Sequence, residues 1–143
     1  MRIHKETFIT FDDVLLSPRY SEVISRRDVD LSTNIGNISV QIPIVTANMD
    51  TITGSRMATS AISAGAYSIL HRYLPIEDAV NMYRRSPENT GVSIGVKDYK
   101  ERLTQHFNAG ARFFCVDMAH GHSLNCLNIL KYIRDNYGNS VTV

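Results

Sequence analysis

Cysteine is scarce in this sequence of 143 residues, which contains only Cys115 and Cys126. A small secreted protein held together by disulfides would be richer in cysteine, so both are expected to be free thiols in a reducing cytoplasm. No apolar run approaches the roughly 20 residues that a bilayer-spanning helix requires. Residues 1–7 contain charges and are not followed by an apolar stretch, so the sequence predicts neither a secretory signal nor a membrane partner.

An excess of charge of either sign is also absent. The sequence has 15 lysines and arginines against 14 aspartates and glutamates, which gives a net charge of +1. Such a chain has no strong field to attract nucleic acid or an anionic membrane. With 43% hydrophobic and 20% charged residues, the composition is that of a soluble globular domain.

Short apolar runs recur along the chain after residue 42. They begin at residues 43, 66, 91 and 112, and a fifth begins at residue 140, so the starts are 23, 25, 21 and 28 residues apart. Their hydrophobicity is continuous, which is typical of strands covered on both faces, as in a parallel sheet. Strands and helical segments that alternate at this spacing predict βαβ units in residues 43–143, after an irregular N-terminal segment of residues 1–42.

Four helices are predicted between these strands from apolar spacing and capping residues. Pro75 is expected at the first position of the second helix, and Asp98 and Ser123 are expected to cap the third and fourth. Gly65 and Gly138 are expected to follow the ends of the first and fourth helices. The predicted buried side of the fourth helix consists of Leu124, Leu127, Leu130 and Ile133.

Two architectures accommodate such units, an open doubly wound sheet and a closed eight-stranded barrel. An open sheet that binds a dinucleotide would carry a Gly-x-Gly-x-x-Gly pattern between a strand and a helix, and none of these turns has it. A barrel typically has about 250 residues, whereas this chain ends inside its fifth apolar run. Because an unpaired apolar edge strand is unfavourable, we expect the chain to be part of a longer domain.

Polar and ionisable residues follow each of the first four predicted strands. They lie at residues 48–51, 71–73, 97–98 and 117–123. In β/α barrels, functional residues gather at the carboxyl ends of the strands. The sequence therefore predicts a site at this rim.

A histidine pair within this rim allows a metal site as one interpretation. His120 and His122, together with Asp117, could be ligands of a metal-dependent hydrolase. A protein metal site needs three or four ligands, however, and Gly121 and Ser123 indicate a turn and a helix cap equally well. A turn without metal is the favoured interpretation.

Four motifs of the chain resemble those of the IMP dehydrogenase/GMP reductase family. They occur in the family's order, at residues 10–18 (TFDDVLLSP), 25–32 (SRRDVDLS), 42–53 (IPIVTANMDTIT) and 116–123 (VDMAHGHS). The resemblance implies a TIM (β/α)8 barrel in the α/β class, usually assembled as a homotetramer. This chain would be its N-terminal half, with four to five β/α units.

The resemblance also implies the family's chemistry. Its members bind a purine nucleotide, GMP or IMP, and a nicotinamide cofactor, and a cysteine forms a covalent thioimidate with the purine. In GMP reductase, ammonia leaves and NADPH delivers hydride, so that GMP becomes IMP. In IMP dehydrogenase, hydride passes from IMP to NAD and water then releases XMP.

Two features favour the reductase. Residues 84–90 join the second helix directly to the third strand, which leaves no room for the CBS modules that dehydrogenases usually insert there. Residues 69–73 (ILHRY) and 93–97 (SIGVK) resemble a bacterial branch of GMP reductases. Residues 10–16 (TFDDVLL) instead resemble dehydrogenases, some of which lack the modules, so an NAD-dependent IMP dehydrogenase without CBS domains is the alternative.

The resemblance assigns expected roles to individual residues. Ser25 and Arg26 match a pair that reaches the cofactor from a neighbouring subunit, and an arginine suits the 2′-phosphate of NADPH. Arg72 matches a basic position near the cofactor that is often lysine, and Met49 matches a residue near the purine. Residues 117–119 match the segment that contacts the nicotinamide ribose and carboxamide. The cofactor contacts expected in this way are Ser25, Arg26, Arg72, Asp117, Met118 and Ala119.

The resemblance assigns no catalytic nucleophile to this chain. It places the family's cysteine after the sixth strand, beyond Val143, together with the phosphate loops and a site for a monovalent cation such as potassium. Cys115 lies in the fourth strand and Cys126 on the fourth helix, so neither matches. We therefore expect this polypeptide to be inactive alone and to need a complementary C-terminal half. The alternative of another class is a non-catalytic half-barrel that binds a complete enzyme.

Overall fold

The computed structural model of the chain describes residues 6–88 and 90–143. Residues 1–5 of the predicted N-terminal segment therefore lie outside the described residues. Asn89, in the connection after the second helix, also lies outside them. The chain forms two compact units, one that ends at Asp30 and one that spans Leu31–Val143.

The first unit is extended apart from two short 3₁₀ turns, Phe11–Asp13 and Arg26–Asp28. The backbone N–H and the hydroxyl of Thr10 both donate to the carboxylate of Asp13 at 2.9 Å. These two hydrogen bonds lower the pKa of Asp13, because they stabilise its charged form. None of the described residues of this unit is buried, and its apolar side chains, such as Leu16, are exposed.

The second unit begins with an antiparallel hairpin that the sequence pattern did not predict. Its strands are β1 (Thr33–Ile35) and β2 (Ile38–Val40), and Gly36 turns between them at φ +58°. A parallel sheet follows, with β3 (Val45–Thr46), β4 (Tyr67–Leu70), β5 (Gly91–Ile94) and β6 (Phe114–Val116). Its helices are α1 (Ser55–Ser63), α2 (Ile76–Arg84), α3 (Tyr99–Asn108) and α4 (Leu124–Tyr137).

The parallel α/β organisation predicted from the apolar runs is confirmed. The four parallel strands lie side by side in chain order, β3-β4-β5-β6, and a helix separates each strand from the next in sequence. The fifth apolar run, which begins at residue 140, does not form a full strand. A 3₁₀ turn occupies Gly138–Ser140, and Thr142 then forms an isolated parallel bridge to Phe113.

The core lies between the parallel sheet and the helices. Leu70, Ile94 and Phe114 from three successive strands are almost fully buried. They belong to one apolar cluster that also includes Leu103 of α3 and Ile129 of α4. Each fully buried side chain of this size contributes roughly 1.5–3 kcal/mol of hydrophobic free energy, and this core fixes the strand ends that carry the candidate site.

The predicted buried side of α4 is wrong for three of its four residues. Leu124, Leu127 and Leu130 are 73%, 51% and 37% exposed, whereas Ile133 is fully buried. In a helix with 3.6 residues per turn, residues three apart differ in direction by about 60°. A series of leucines at this spacing therefore winds around the helix instead of staying on one face. The buried side follows spacings of three and four instead, through Cys126, Ile129 and Ile133.

The helix-end predictions were mostly confirmed. Ser123 caps α4, since its hydroxyl accepts a hydrogen bond from the backbone N–H of Cys126 at 3.3 Å. Gly65 and Gly138 follow α1 and α4, both with positive φ. Pro75 precedes the first residue of α2, so the prediction that it is the first helical residue is off by one position.

Among the described residues, no helix is both long enough and apolar enough to cross a bilayer.

A buried histidine makes the stability of this unit dependent on pH. His106 of α3 is fully buried, and its Nδ1 donates a hydrogen bond to the carbonyl of Arg102 at 2.8 Å. Burial lowers the pKa of His106, and the nearby charge of Arg102 lowers it further, against the opposite effect of its hydrogen bond to the Arg102 carbonyl. The unfolded chain therefore takes up this proton at a higher pH than the folded chain does.

We expect the free energy of unfolding to fall as the pH drops below about 6.5, the ordinary value for histidine. The contribution of His106 to the free energy of unfolding is fully present above that pH. It is lost as the pH falls to the lower pKa that His106 has in the folded chain. Urea unfolding at pH 7.5 and 5.5, followed by circular dichroism, would measure it. His106→Gln should reduce the pH dependence, and His122→Gln, at an exposed histidine, should not. Equal slopes for wild type and His106→Gln would contradict this expectation.

Candidate functional site

The loops at the carboxyl ends of β4, β5 and β6 surround a cavity of about 560 Å³. A volume of this size is in the range of small-molecule pockets. Of the predicted cofactor contacts, the structure brings together Arg72, Asp117, Met118 and Ala119 along its wall. Lys97 and Asp98, at the predicted rim, also line it. So do four residues that the sequence reasoning did not select for the site, Gly95, Val96, Arg102 and Asn125.

An ion pair between Arg72 and Asp117 crosses the site. The Nε–H of Arg72 donates to Oδ2 of Asp117 at 2.8 Å, and the two side chains are 31% and 26% exposed. Arg72 follows β4 and Asp117 follows β6, so the pair spans the intervening strand β5. A carboxylate has about four acceptor positions. Asp117 can therefore hold Arg72 and still accept a hydrogen bond from a ligand hydroxyl.

Gly95 provides the space through which Arg72 reaches Asp117. A Cβ atom at residue 95 would lie 2.9 Å from Nη1 of Arg72 and 3.1 Å from its Cζ. A separation below about 3.0 Å requires something to move, and here the neighbour is the end of a flexible side chain. A side chain at this position would therefore displace the guanidinium at small cost to the fold.

We expect Gly95→Ala to separate Arg72 from Asp117 while it changes the free energy of unfolding by less than about 1 kcal/mol. The exchange rate of the Arg72 Nε–H with solvent, measured by ¹⁵N NMR, should increase because the hydrogen bond that protects it is weakened. Gly121→Ala is the matched control, since a Cβ there meets no atom of residues 6–88 and 90–143 within 4 Å. An unchanged exchange rate in Gly95→Ala would contradict the proposed path of the side chain.

Arg102 of α3 is a buried member of the site that the sequence reasoning missed. It is 5% exposed, and its Nη2 donates to the carbonyl of Leu74 at 3.0 Å and to the carboxylate of Asp98 at 3.1 Å. Asp98 occupies the cap position of α3, but its predicted side-chain cap is not formed. The spacing of four residues between Asp98 and Arg102 was the available signal, because such pairs meet on a helix.

The other predicted site residues lie elsewhere in the chain. Ser25 and Arg26 belong to the first unit, where the hydroxyl of Ser25 accepts from the backbone N–H of Arg27 at 3.2 Å. Met49 lies in the loop after β3, is half exposed, and is not among the residues that line the cavity. The roles assigned to these three residues therefore stay predictions.

The two cysteines are free thiols, as predicted from their scarcity. Cys115 lies in β6, two residues before Asp117. Burial raises the pKa of the Cys115 thiol, and the charge of Asp117 raises it further. Cys126 is buried on α4. Since the thiolate is the nucleophilic form, the environment of Cys115 disfavours nucleophilic attack.

The histidine pair does not form a metal centre in the part of the chain that the structure describes. The rings of His120 and His122 are 6.5 Å apart and both residues are exposed. No group of three or more histidine, cysteine, aspartate or glutamate residues is placed to hold a metal ion within residues 6–88 and 90–143. The turn and cap interpretation agrees better with the observed cap at Ser123.

Comparisons with known proteins agree with the motifs. The family model described as "IMP dehydrogenase / GMP reductase domain" matches residues 8–143. The chain is 50% identical over 74 residues to an inosine-5'-monophosphate dehydrogenase of Nitrosopumilus maritimus, a match that covers 51% of this chain and 16% of the relative. It is 30% identical over 136 residues to a GMP reductase of Lactobacillus acidophilus, with 91% of this chain and 41% of the relative covered.

A solved structure shows the same relationship. The crystal structure of inosine 5' monophosphate dehydrogenase from Legionella pneumophila is 40% identical in sequence and superposes with a TM-score of 0.82. The match covers 89% of this chain and 40% of the Legionella chain. The present chain thus spans less than half the length of each of these relatives.

Proposed function

We propose, from the fact that the chain belongs to the IMP dehydrogenase/GMP reductase domain family, that it supplies the cofactor side of a purine nucleotide oxidoreductase. The single observation that carries this proposal is the Arg72–Asp117 pair on the wall of the cavity at the carboxyl ends of the strands. It brings a fixed cation and a carboxylate acceptor to the place where ligands bind in parallel β/α proteins.

The proposed architecture is the N-terminal half of a (β/α)8 barrel. Its support is the parallel order β3-β4-β5-β6, the helix between each pair of strands, and the TM-score of 0.82 to the Legionella dehydrogenase. Thr142 already bridges to Phe113 in parallel, which is where a fifth strand would join the sheet. Further β/α units would then complete the barrel on that side.

The residues of the cavity fit a nicotinamide dinucleotide in their chemistry. Asp117 is an acceptor for ribose hydroxyls, and Arg72 and Lys97 offer positive charge to phosphate. When bound, the cofactor supplies the hydride chemistry that side chains cannot perform. The chain's own part is to hold and orient it: Met118 and Ala119 line the wall beside Asp117, and Arg72 fixes the direction of the Asp117 carboxylate.

The reaction we propose is the NADPH-dependent reduction of GMP to IMP. Its support is that α2 ends at Arg84 and β5 begins at Gly91, and that the match to the Lactobacillus GMP reductase covers 91% of the chain, across this short connection. The second candidate is NAD-dependent oxidation of IMP by a dehydrogenase without CBS modules. The 40% identity to the Legionella dehydrogenase favours it, so one experiment must test both directions.

The remaining parts of the proposal concern residues outside the cavity. Ser25 and Arg26 would contact the cofactor of a neighbouring subunit in a homotetramer, and Met49 would approach the purine. A monovalent cation such as potassium would bind in a complementary C-terminal half. We place the assembled enzyme in the cytoplasm, in agreement with its free thiols.

Complementation tests this proposal. The chain is co-expressed with the downstream part of the Lactobacillus acidophilus GMP reductase, or of the Legionella dehydrogenase, and the complex is purified. NADPH consumption with GMP would support the reductase, and NAD reduction with IMP would support the dehydrogenase. A folded, stoichiometric complex without either activity would contradict both and would favour a non-catalytic half-barrel that only binds or assembles. The chain alone is expected to show neither activity.

A further inference from the structure

The guanidinium of Arg102 connects the loop after β4 with the loop after β5. Its Nη2 donates to the carbonyl of Leu74, at the end of the loop after β4, and to the carboxylate of Asp98, at the end of the loop after β5. Leu74 is two residues from Arg72. A contact that fixes the Leu74 carbonyl therefore also limits where the Arg72 backbone can lie.

Within the described residues, the loop after β4 makes few other hydrogen bonds close to Arg72. The backbone N–H of His71 donates to the carbonyl of Thr53 at a long 3.4 Å, and the backbone N–H of Tyr73 donates only to the ring of His71, at 3.2 Å. Pro75 follows and has no N–H to donate. The hydrogen bond from Arg102 is thus a main polar contact between this loop and the rest of the unit, beside the packing of Leu74 against the core.

The loop after β5 is held by the same side chain. Asp98 is in the left-handed region, with φ +48°, which is uncommon for a residue other than glycine. Its carboxylate lies 3.1 Å from Nη2 of Arg102. Gly95, over which Arg72 passes, is in this loop. Arg102 therefore fixes both the loop that carries Arg72 and the loop that leaves room for its guanidinium.

The burial of Arg102 is poorly explained by stability alone. Among the described residues, its Nε and Nη1 are buried and have no hydrogen-bond partner. Burying a charged group with several donors unpaired costs free energy. The residue is better explained by the two loops that it connects than by a net contribution to folding.

We propose that Arg102 is a positioning residue that holds the loops after β4 and β5 in register and so maintains the Arg72–Asp117 pair. What the pair binds rests on the proposed function, whereas its geometry does not. The pair lies on the wall of the cavity, so a change at Arg102 would alter the cavity through the position of Arg72. A failed complementation would leave the positioning role open to the direct test that follows.

The test measures the hydrogen bond between Arg72 and Asp117 directly, in the 143-residue chain. The solvent exchange rate of the Arg72 Nε–H is measured by ¹⁵N NMR, and its signal is assigned by its loss in Arg72→Lys. Arg102→Met is expected to increase the rate by at least about tenfold, the factor associated with loss of a hydrogen bond to a charged group. Arg102→Lys should restore a rate close to that of wild type, since only one nitrogen of the guanidinium is engaged by Leu74 and Asp98.

Two further variants distinguish positioning from a general effect on folding. Arg112→Met is the matched control, because one guanidinium nitrogen of Arg112 likewise donates to two acceptors. These are the backbone carbonyls of Phe107 and Ala111, at the opposite end of α3. It should leave the Arg72 signal unchanged. Asp98→Asn removes the ion pair at a partly exposed residue and tolerates a positive φ, so it serves if Arg102→Met does not fold.

Asp98→Asn should raise the exchange rate in the same direction as Arg102→Met and by a smaller factor. A wild-type rate in a folded Arg102→Met would overturn the proposal. So would a wild-type rate in Asp98→Asn where Arg102→Met is unfolded, or an increase in Arg112→Met as large as that in Arg102→Met.

Discussion

Replacement of Phe114 by alanine is expected to lower the free energy of unfolding by about 3–5 kcal/mol. Phe114 is fully buried in the main apolar cluster, on the strand that precedes Asp117. Removing its ring takes away both its hydrophobic transfer free energy and its packing contacts, and the surrounding residues can fill the cavity only in part. Urea unfolding followed by far-ultraviolet circular dichroism measures the change.

The control for this truncation is Leu124→Ala. Leu124 is a large apolar residue on α4 that is mostly exposed, so its truncation should change stability by no more than about 0.5 kcal/mol. A similar loss in both variants would show that the outer face of α4 is covered in solution. A loss below about 1 kcal/mol in Phe114→Ala would contradict the position of the core.

The alternation of strands and helices could be predicted from the sequence because it depends on local patterns. Continuous apolar runs indicate strands covered on both faces, and the runs at 66 and 91 correspond closely to β4 and β5. The hairpin of β1 and β2 was missed because each strand has only three residues, and only Val40 of the six is buried. So short a run carries too little apolar alternation to indicate a strand.

The buried side of α4 could not be read from its leucines for a related reason. A helix with many large apolar side chains is expected to bury them. Which side of the helix is buried, however, depends on where the helix packs against the sheet. Cys126, Ile129 and Ile133 lie on that face, and Leu124 and Leu127 do not. Only the placement of α4 against β6 distinguishes the two sets.

The candidate site could be predicted in part. The sequence indicates which residues follow the end of each strand, but it does not indicate which side chains then meet across neighbouring strands. Arg72 and Asp117 were each identified from their position after a strand and from the family motifs. Their 2.8 Å ion pair depends on the order of the strands and on the absence of a side chain at Gly95. Arg102 lies within a helix and resembles an ordinary helical arginine until the fold places it beneath two loops.

Arg72→Met is expected to lower kcat/KM for the cofactor by about tenfold to a hundredfold in the complemented enzyme. The variant removes a charged hydrogen-bond donor from Asp117, so the carboxylate loses the contact that orients it toward the ligand. Arg72→Lys keeps the charge and should retain more activity than Arg72→Met, although lysine lacks the planar fork of arginine. Kinetic assays with the cofactor varied at saturating nucleotide measure both effects.

The ion pair on α4 between Lys131 and Asp135 provides the matched control. Its Nζ and Oδ2 are 2.9 Å apart, but both side chains are exposed, so Lys131→Met should leave kcat/KM unchanged. Asp117→Asn and Arg72→Met act on the same pair, and their effects should therefore not add in the double variant. Wild-type kcat/KM in Arg72→Met, or fully additive losses, would mean that the pair is not the unit that holds the cofactor.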